Sequence, residues 1–268
     1  MTNSPGWTEN RQLDELPHHQ ALLHGTAWAS IATVYGTGEA LPTVLTRILD
    51  PDPVVRVTAV DDAFRAVNDQ NTVYEATVPV ALYMAAILGH PAITAGEAVP
   101  DADKPPHRST LVRLLQGLSD TAYDADDERV ARGERHRGKV FLDAYPELRA
   151  FREARPAIFS AVRPLLDHDS AAVRDAALLA AIPLAEHPDL SRYRGELIGH
   201  ARNLLANSPD NYYREPVLEA MKAWGQDLSG LENADDVTAR ELRARQLAEH
   251  CSVWPGHGKN DHVEDPQS

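Results

Sequence analysis

Apolar residues recur along the chain at the spacing of one helix face, broken by corners that carry aspartate and proline. Leu41, Val44, Leu45, Ile48 and Leu49 precede the corner DPDPVVR at 50–56, and Val54, Val57, Val60, Phe64 and Val67 follow it. That spacing predicts two amphipathic helices. Pro51 and Pro53 end the first, and Asp52 caps the second. Pro53 then takes the first helical position, where a missing N–H costs nothing. The corner is therefore the bend of a helical hairpin. The arrangement recurs at DHDSAAVR, 167–174, between Ile158, Val162, Leu165, Leu166 and Val173, Ala177, Ala180, Leu184, with Asp169 or Ser170 as the cap. It recurs again at SPDNYYR, 208–214, between Leu197, Ile198, Ala201, Leu204, Leu205 and Val217, Met221, Trp224, Leu228.

The arginines align the copies. Arg174 and Arg214 are 40 residues apart, and Arg56 and Arg174 are 118 apart, close to three such steps. A helical hairpin repeating at that period predicts an all-α fold, an α-solenoid of about 4 to 5 paired-helix repeats. Between the clear copies, residues 72–89 read as one helix bent at Pro79, and Leu111, Val112, Leu114, Leu115 and Leu118 as its partner. HPAITAGEAVPDADKPPHR at 90–108 reads as a long loop, and DTAYDADDE at 120–128 as an acidic lead into a charged helix from Arg129 to Leu142. The expected organisation is an N-terminal segment at 1–25 and a repeat body at 26–232 with irregular insertions near 90–108 and 120–135. A C-terminal helix at 233–250 and an untethered tail at 251–268 complete it.

DPDPVVRVTA and DHDSAAVRDAA resemble the HEAT-repeat signature, an acidic turn followed by V-R and small apolar positions. The resemblance implies that Asp52, Asp169, Asp210, Arg56, Arg174 and Arg214 are structural, stacking as a ladder between repeats. More narrowly, WASIATVYGTGEALPTVLTRILDPDPVVRVTAV followed by DQNTVYEATVPVALYMAAIL is similar to a group of actinobacterial HEAT-repeat domain proteins with the pattern W…YG…P…L…R…HQGTVYEAT. Here Asp69, Gln70 and Asn71 stand in place of H-Q-G, so a role for that histidine is absent. The resemblance spans roughly 26–230 and speaks to fold, because solenoids serve unrelated ends.

Charge changes the functional picture. The 268 residues hold 26 Lys plus Arg against 40 Asp plus Glu, a net charge of −14, and both 1–120 and 121–268 carry −7. This is the reverse of a nucleic-acid footprint and suits a basic protein partner. No apolar run is long enough to span a bilayer, and MTNSPGWTENRQLDELPHHQ has no apolar signal core. One cysteine, Cys251, forms no internal disulfide, so cytoplasmic residence is the expectation.

Candidate chemistry is sparse. Asp120, Asp124, Asp126, Asp127 and Glu128 lack the spacing of a calcium loop and read as a solvated helix start or a surface for a basic partner. Tyr212 and Tyr213 open a helix on which one ring packs and the other is a candidate binding anchor. His250, Cys251, His257 and His262 lack the ligand spacing of a structural zinc site, and Trp254 reads as packing at the end of the repeats. His18, His19 and His24 read as solvated. There is no G-x-S-x-G, phosphate loop, H-E-x-x-H or dinucleotide fingerprint, so neither metal nor cofactor is expected and the chain reads as non-enzymatic. The expected function is a protein-binding module whose sharper form is an immunity protein neutralising a basic toxin. Two alternatives rest on fold analogy: a DNA-repair glycosylase of the HEAT-like alkylpurine class, and a cofactor-handling protein resembling phycobilin lyases.

Overall fold

The computed structural model describes residues 16–95, 109–138 and 140–253, and these are predominantly helical. The chain divides into two compact units, the first ending at Ser208 and the second starting at Pro209. In the first unit α1 (His19–Gly25) leads into a hairpin of β1 (Ala32–Thr33) and β2 (Gly36–Thr37), then α2 (Leu41–Arg47) and α3 (Pro53–Val67). A second hairpin, β3 (Asn68–Asp69) with β4 (Thr72–Val73), precedes α4 (Thr77–Ala86) and the single turn α5 (Pro91–Thr94). There follow α6 (Thr110–Tyr123), α7 (Asp127–Arg137), α8 (Phe141–Ala144), α9 (Pro146–Val162), α10 (Ala171–Leu184) and α11 (Arg194–Asn207).

The corner at 50–56 forms as its chemistry dictates. Asp52 accepts the Val54 N–H at 2.9 Å, Pro53 opens α3, and Arg56 curls back to donate to the carbonyls of Asp50 and Pro51, each at 2.9 Å. Arg174 repeats the contact, reaching the carbonyls of His168 and Asp169 at 2.7 and 2.8 Å. Each arginine thus ties the corner to its own helix, where the resemblance implied a ladder from one repeat to the next. Ser170 occupies the cap position of α10 without a side-chain bond, and His168 Nδ1 accepts the Ser170 N–H instead. Four histidines work this way: His18, His90, His168 and His187 each accept an N–H two residues on.

Packing follows pairs. α2 lies against α3, α4 against α6 and α9 against α10, while across pairs α4 meets α9, and α6 meets both α3 and α10. The core between them is apolar and mostly aliphatic, with Leu45, Ile48, Ile87, Leu114, Leu118, Ile158 and Ala176 fully buried alongside the aromatic Phe151. At about 25 cal/mol per Å² of apolar area removed from water, such burial is the dominant stabilising term.

Three local expectations are corrected. The segment 72–89 is a strand, a turn and a shorter helix, because Gln70 and Asn71 adopt φ of 49° and 62° and close a two-residue hairpin loop. Pro79 bends nothing, since it sits in the first turn of α4, where its N–H has no helical partner to lose. The charged helix from Arg129 to Leu142 is split into α7 and α8 at Gly138, whose φ of 85° suits glycine alone.

Tyr74, Glu75, Ala76 and Thr77 hold the two hairpins together. Glu75 accepts the Ala32 N–H at 2.7 Å, and the Ala76 N–H donates to the Ala32 carbonyl at 3.1 Å. The Thr77 hydroxyl donates to the Val67 carbonyl at 2.9 Å and accepts the Tyr74 N–H at 2.8 Å. These residues are fasteners of the fold.

In the second unit α12 (Asn211–Ala223) packs on α13 (Ala234–Val253). Asp210 caps α12 through the Tyr212 N–H at 2.9 Å. Arg214 departs from the other two arginines: buried, it forms a forked pair with Asp236, its Nη2 at 2.7 Å from Oδ2, and also donates to the Leu231 carbonyl at 2.8 Å. Asp236 in turn completes a capping box with Asn233, each side chain taking the other's backbone N–H.

Candidate functional site

An open cleft of about 480 Å³ lies where the end of α3, the β3–β4 hairpin and the last turns of α6 converge. Its walls are Phe64, Arg65, Asn68 and Asn71 on one side and Gly117, Asp120, Tyr123 and Asp124 on the other. Sequence order explains the meeting. Asp120 and Asp124 are four residues apart and share one face of α6, and the turn at Gln70 and Asn71 returns the chain beside them. Gly117 permits the close approach, because a Cβ there would stand 2.1–2.4 Å from ring carbons of Phe64.

The two carboxylates are unlike ordinary surface groups. Burial pushes the Asp120 carboxyl above its usual range, the neighbouring Asp124 adds to this, and Arg113 offsets part of it. Asp120 is exposed by area, yet the cleft walls crowd its carboxylate enough to weaken hydration. Asp124 is raised too, chiefly by burial, against the pull of its hydrogen bond from Asn68 Nδ2 and of Arg129. No hydrogen bond to the Asp120 carboxylate forms among the described residues. The neighbouring cations are committed elsewhere: Arg65 pairs with Asp62 at 3.0 Å, and Arg113 pairs with Asp61. Two anions four residues apart in a partly desolvated cleft suit a guanidinium or an ammonium arriving from outside.

The other acidic residues singled out from the sequence are spent on structure. Asp126 caps α7 by accepting the Arg129 N–H at 2.7 Å, with burial raising its carboxyl. Asp127 pairs with Arg152, and Glu128 pairs with Arg132 across one turn at 2.7 Å. Tyr213 is a packing residue at 8% exposure, so its role as an anchor is withdrawn, whereas Tyr212 is 43% exposed with its ring edge-on to Tyr213. Asp52, Asp169 and Asp210 remain at their corners. His19 is not solvated: it is buried among His18, His90 and Tyr83, and burial followed by the two histidines holds its imidazole below the usual range. Trp254, His257 and His262 and the side chains of His250 and Cys251 lie outside the described residues.

Sequence reasoning gave Asn68 no role, took Phe64 only as a helix-face residue and Asn71 only as part of the D-Q-N stretch, because the segment that follows them, 72–89, read as one helix. The signal was present in N-D-Q-N, a polar run whose third and fourth members accept positive φ. Also missed was a polar hub in which the buried Arg155 meets the partly exposed Glu186 and Arg152 and the exposed Asp127, members that lie up to 59 residues apart. Among the described residues no three of His, Cys, Asp and Glu gather to hold a metal ion, and no described helix is long and apolar enough to cross a membrane. No family model, curated protein or solved structure matches the chain.

Proposed function

We propose that this chain is a non-enzymatic, cytoplasmic HEAT-like repeat module that binds a basic protein, taking a lysine or arginine of the partner between Asp120 and Asp124. The observation that carries the reading is the carboxylate pair itself, raised by burial inside a formed cleft and engaged in no ion pair among the described residues, although Arg113 and Arg129 lie near enough to offset part of the shift. Net charge supports it, since −14 steers a basic partner inward and speeds encounter. The repeat architecture is supported by the equivalent corners at Arg56 and Arg174 and by the contacts of α6 with α3 and α10. The sharper form is an immunity protein whose anionic surface covers a basic toxin.

The test is binding of the basic product of an adjacent toxin-like reading frame, with rescue of growth on co-expression. Asp120→Asn with Asp124→Asn weakens the complex by about tenfold or more at low salt, as expected when a close charge pair is lost. It also flattens the salt dependence. Affinity falls as pH drops toward the raised carboxyl values, because protonation removes the charge the partner needs. If no such product binds, or if the double variant binds it with unchanged affinity and salt slope, the reading fails.

A further inference from the structure

Three imidazoles meet where α1 docks on the first unit. His18 caps α1, His19 is its first residue, and His90 caps α5. The ring centroid of His19 lies 4.3 Å from that of His18, and its ring stands edge-on to His90 at 5.5 Å and to Tyr83 of α4 at 6.0 Å. His19 is only 9% exposed, so this is a packed cluster and not three surface side chains. The helix it anchors is short. α1 has seven residues and lies against α4, burying Leu22 and Leu23, and the buried Trp28 donates its indole N–H to the Leu23 carbonyl at 2.8 Å.

The contacts around the cluster favour neutral rings. His18 and His90 each accept a backbone N–H through Nδ1, from Gln20 at 3.3 Å and from Ala92 at 3.2 Å. Such a bond needs a lone pair on that nitrogen, and a proton there sets two N–H groups against each other. α4, TVPVALYMAA, and α5, PAIT, bring no charged side chain, so the titratable groups facing His19 are His18, His90 and Tyr83. The Tyr83 hydroxyl donates to the Leu45 carbonyl at 3.1 Å and offers no negative charge. Among the described residues no carboxylate forms an ion pair with any of the three histidines. Protonation therefore gathers like charges about 4–6 Å apart, a spacing at which each disfavours the next, and leaves the one on His19 buried without a partner.

We propose that His18, His19 and His90 form an acid-operated release for α1: neutral, the rings pack and the helix stays docked on α4, and protonated, they repel, the caps of α1 and α5 fail and α1 comes away. The sign is set by the contacts, since the hydrogen bonds, the packing and the missing counter-charge all oppose a proton. The His19 imidazole agrees, held below its ordinary range by burial first and then by His18 and His90. Undocking returns it to water, so release and proton uptake proceed together. The folded value is the lowered one. The docked state is therefore complete above the ordinary histidine range and loses ground as pH falls through about 6.5. The device works whether or not a basic partner binds at Asp120 and Asp124.

Hydrogen exchange read by mass spectrometry on the full chain tests it, at pH 7.5 and pH 5.5 with intrinsic rates corrected. In the wild type, protection of the α1 amides falls by on the order of threefold to tenfold from the higher pH to the lower. α12 is the reference, because its shifted carboxylate, Asp236, is held low and titrates below this span. His19→Phe keeps a ring in the cluster that cannot take a proton, and its α1 loses less than about twofold. His18→Asn with His90→Asn retains both caps through the amide oxygens and removes the two neighbouring charges, so the acid loss shrinks there too. Equal α1 protection in the wild type at the two pH values overturns the release, and so does an undiminished acid loss in either variant. A matching acid loss in α6 overturns it as well, since the whole unit and not α1 would then be opening.

Discussion

At the scale of single residues, one letter in one pattern has two chemistries. Arg56 and Arg174 each satisfy two carbonyls left over where a helix ends, using one nitrogen apiece, and need no carboxylate to be useful. Arg214, at the same point of its corner, is matched instead by Asp236, 22 residues on. The V-R signature announced that an arginine belongs there; its partner was not legible, because the corners supply free carbonyls in two copies and a folded-back α13 supplies a carboxylate in the third. Arg56→Met keeps the buried stem and removes both charge-assisted bonds, so it costs about 1–3 kcal/mol, and Arg174→Met costs a comparable amount. Urea unfolding followed by circular dichroism measures both. A loss under about 0.5 kcal/mol in each would mean that the corners are held by their caps and prolines alone.

Among elements, the helices were legible and the short hairpins were not. α3, α6 and α10 carry apolar residues every three or four positions between residues that start and stop helices, so their existence and bounds follow from spacing. β3 and β4 have two residues each, too few for an alternation to register, and Val73, Tyr74 and Ala76 continue smoothly into the apolar face of α4. That is why the cleft, which depends on this hairpin, was only half visible: Asp120 and Asp124 could be named, and the wall opposite them could not. The loop also identifies its own weak point. Gln70 holds φ of 49°, where a side chain with a Cβ is strained by about 1 kcal/mol and glycine is not. Gln70→Gly therefore raises the melting temperature of the first unit by a few degrees, and a fall would show that the Gln70 side chain is itself a required contact. Gly117→Ala does the opposite. Its new methyl meets the Phe64 ring, and forcing that ring aside costs about 1–3 kcal/mol while reshaping the cleft wall.

Over the whole molecule, the two units place their buried carboxylates in opposite surroundings, and this separates their responses to pH. In the first unit Asp120, Asp124, Asp126 and Glu186 are all raised, chiefly by burial, so each ionises less readily folded than unfolded. Raised groups contribute stability that is full below the unfolded values and is lost as pH climbs through the folded ones, for Glu186 near 7. His19, held low, works the other way, and its contribution is lost as pH falls below the ordinary histidine range. In the second unit Asp236 is held low, first by its hydrogen bond from Arg214, so its contribution is present at neutral pH and lost only as pH falls below the usual carboxylate range. Amide exchange across pH therefore shows α6 and α10 better protected near pH 5 than near pH 8, while α12 changes little over that span and loosens in stronger acid. Asp236→Asn keeps the shape and removes the charge that matches a buried guanidinium, costing the second unit about 3–5 kcal/mol at pH 7. The same substitution abolishes the acid sensitivity of α12 and leaves the pH profile of α6 and α10 where it was. A shift of the two profiles together in that variant would show the units unfolding as one, and the separate pH responses argued from their carboxylates would not hold.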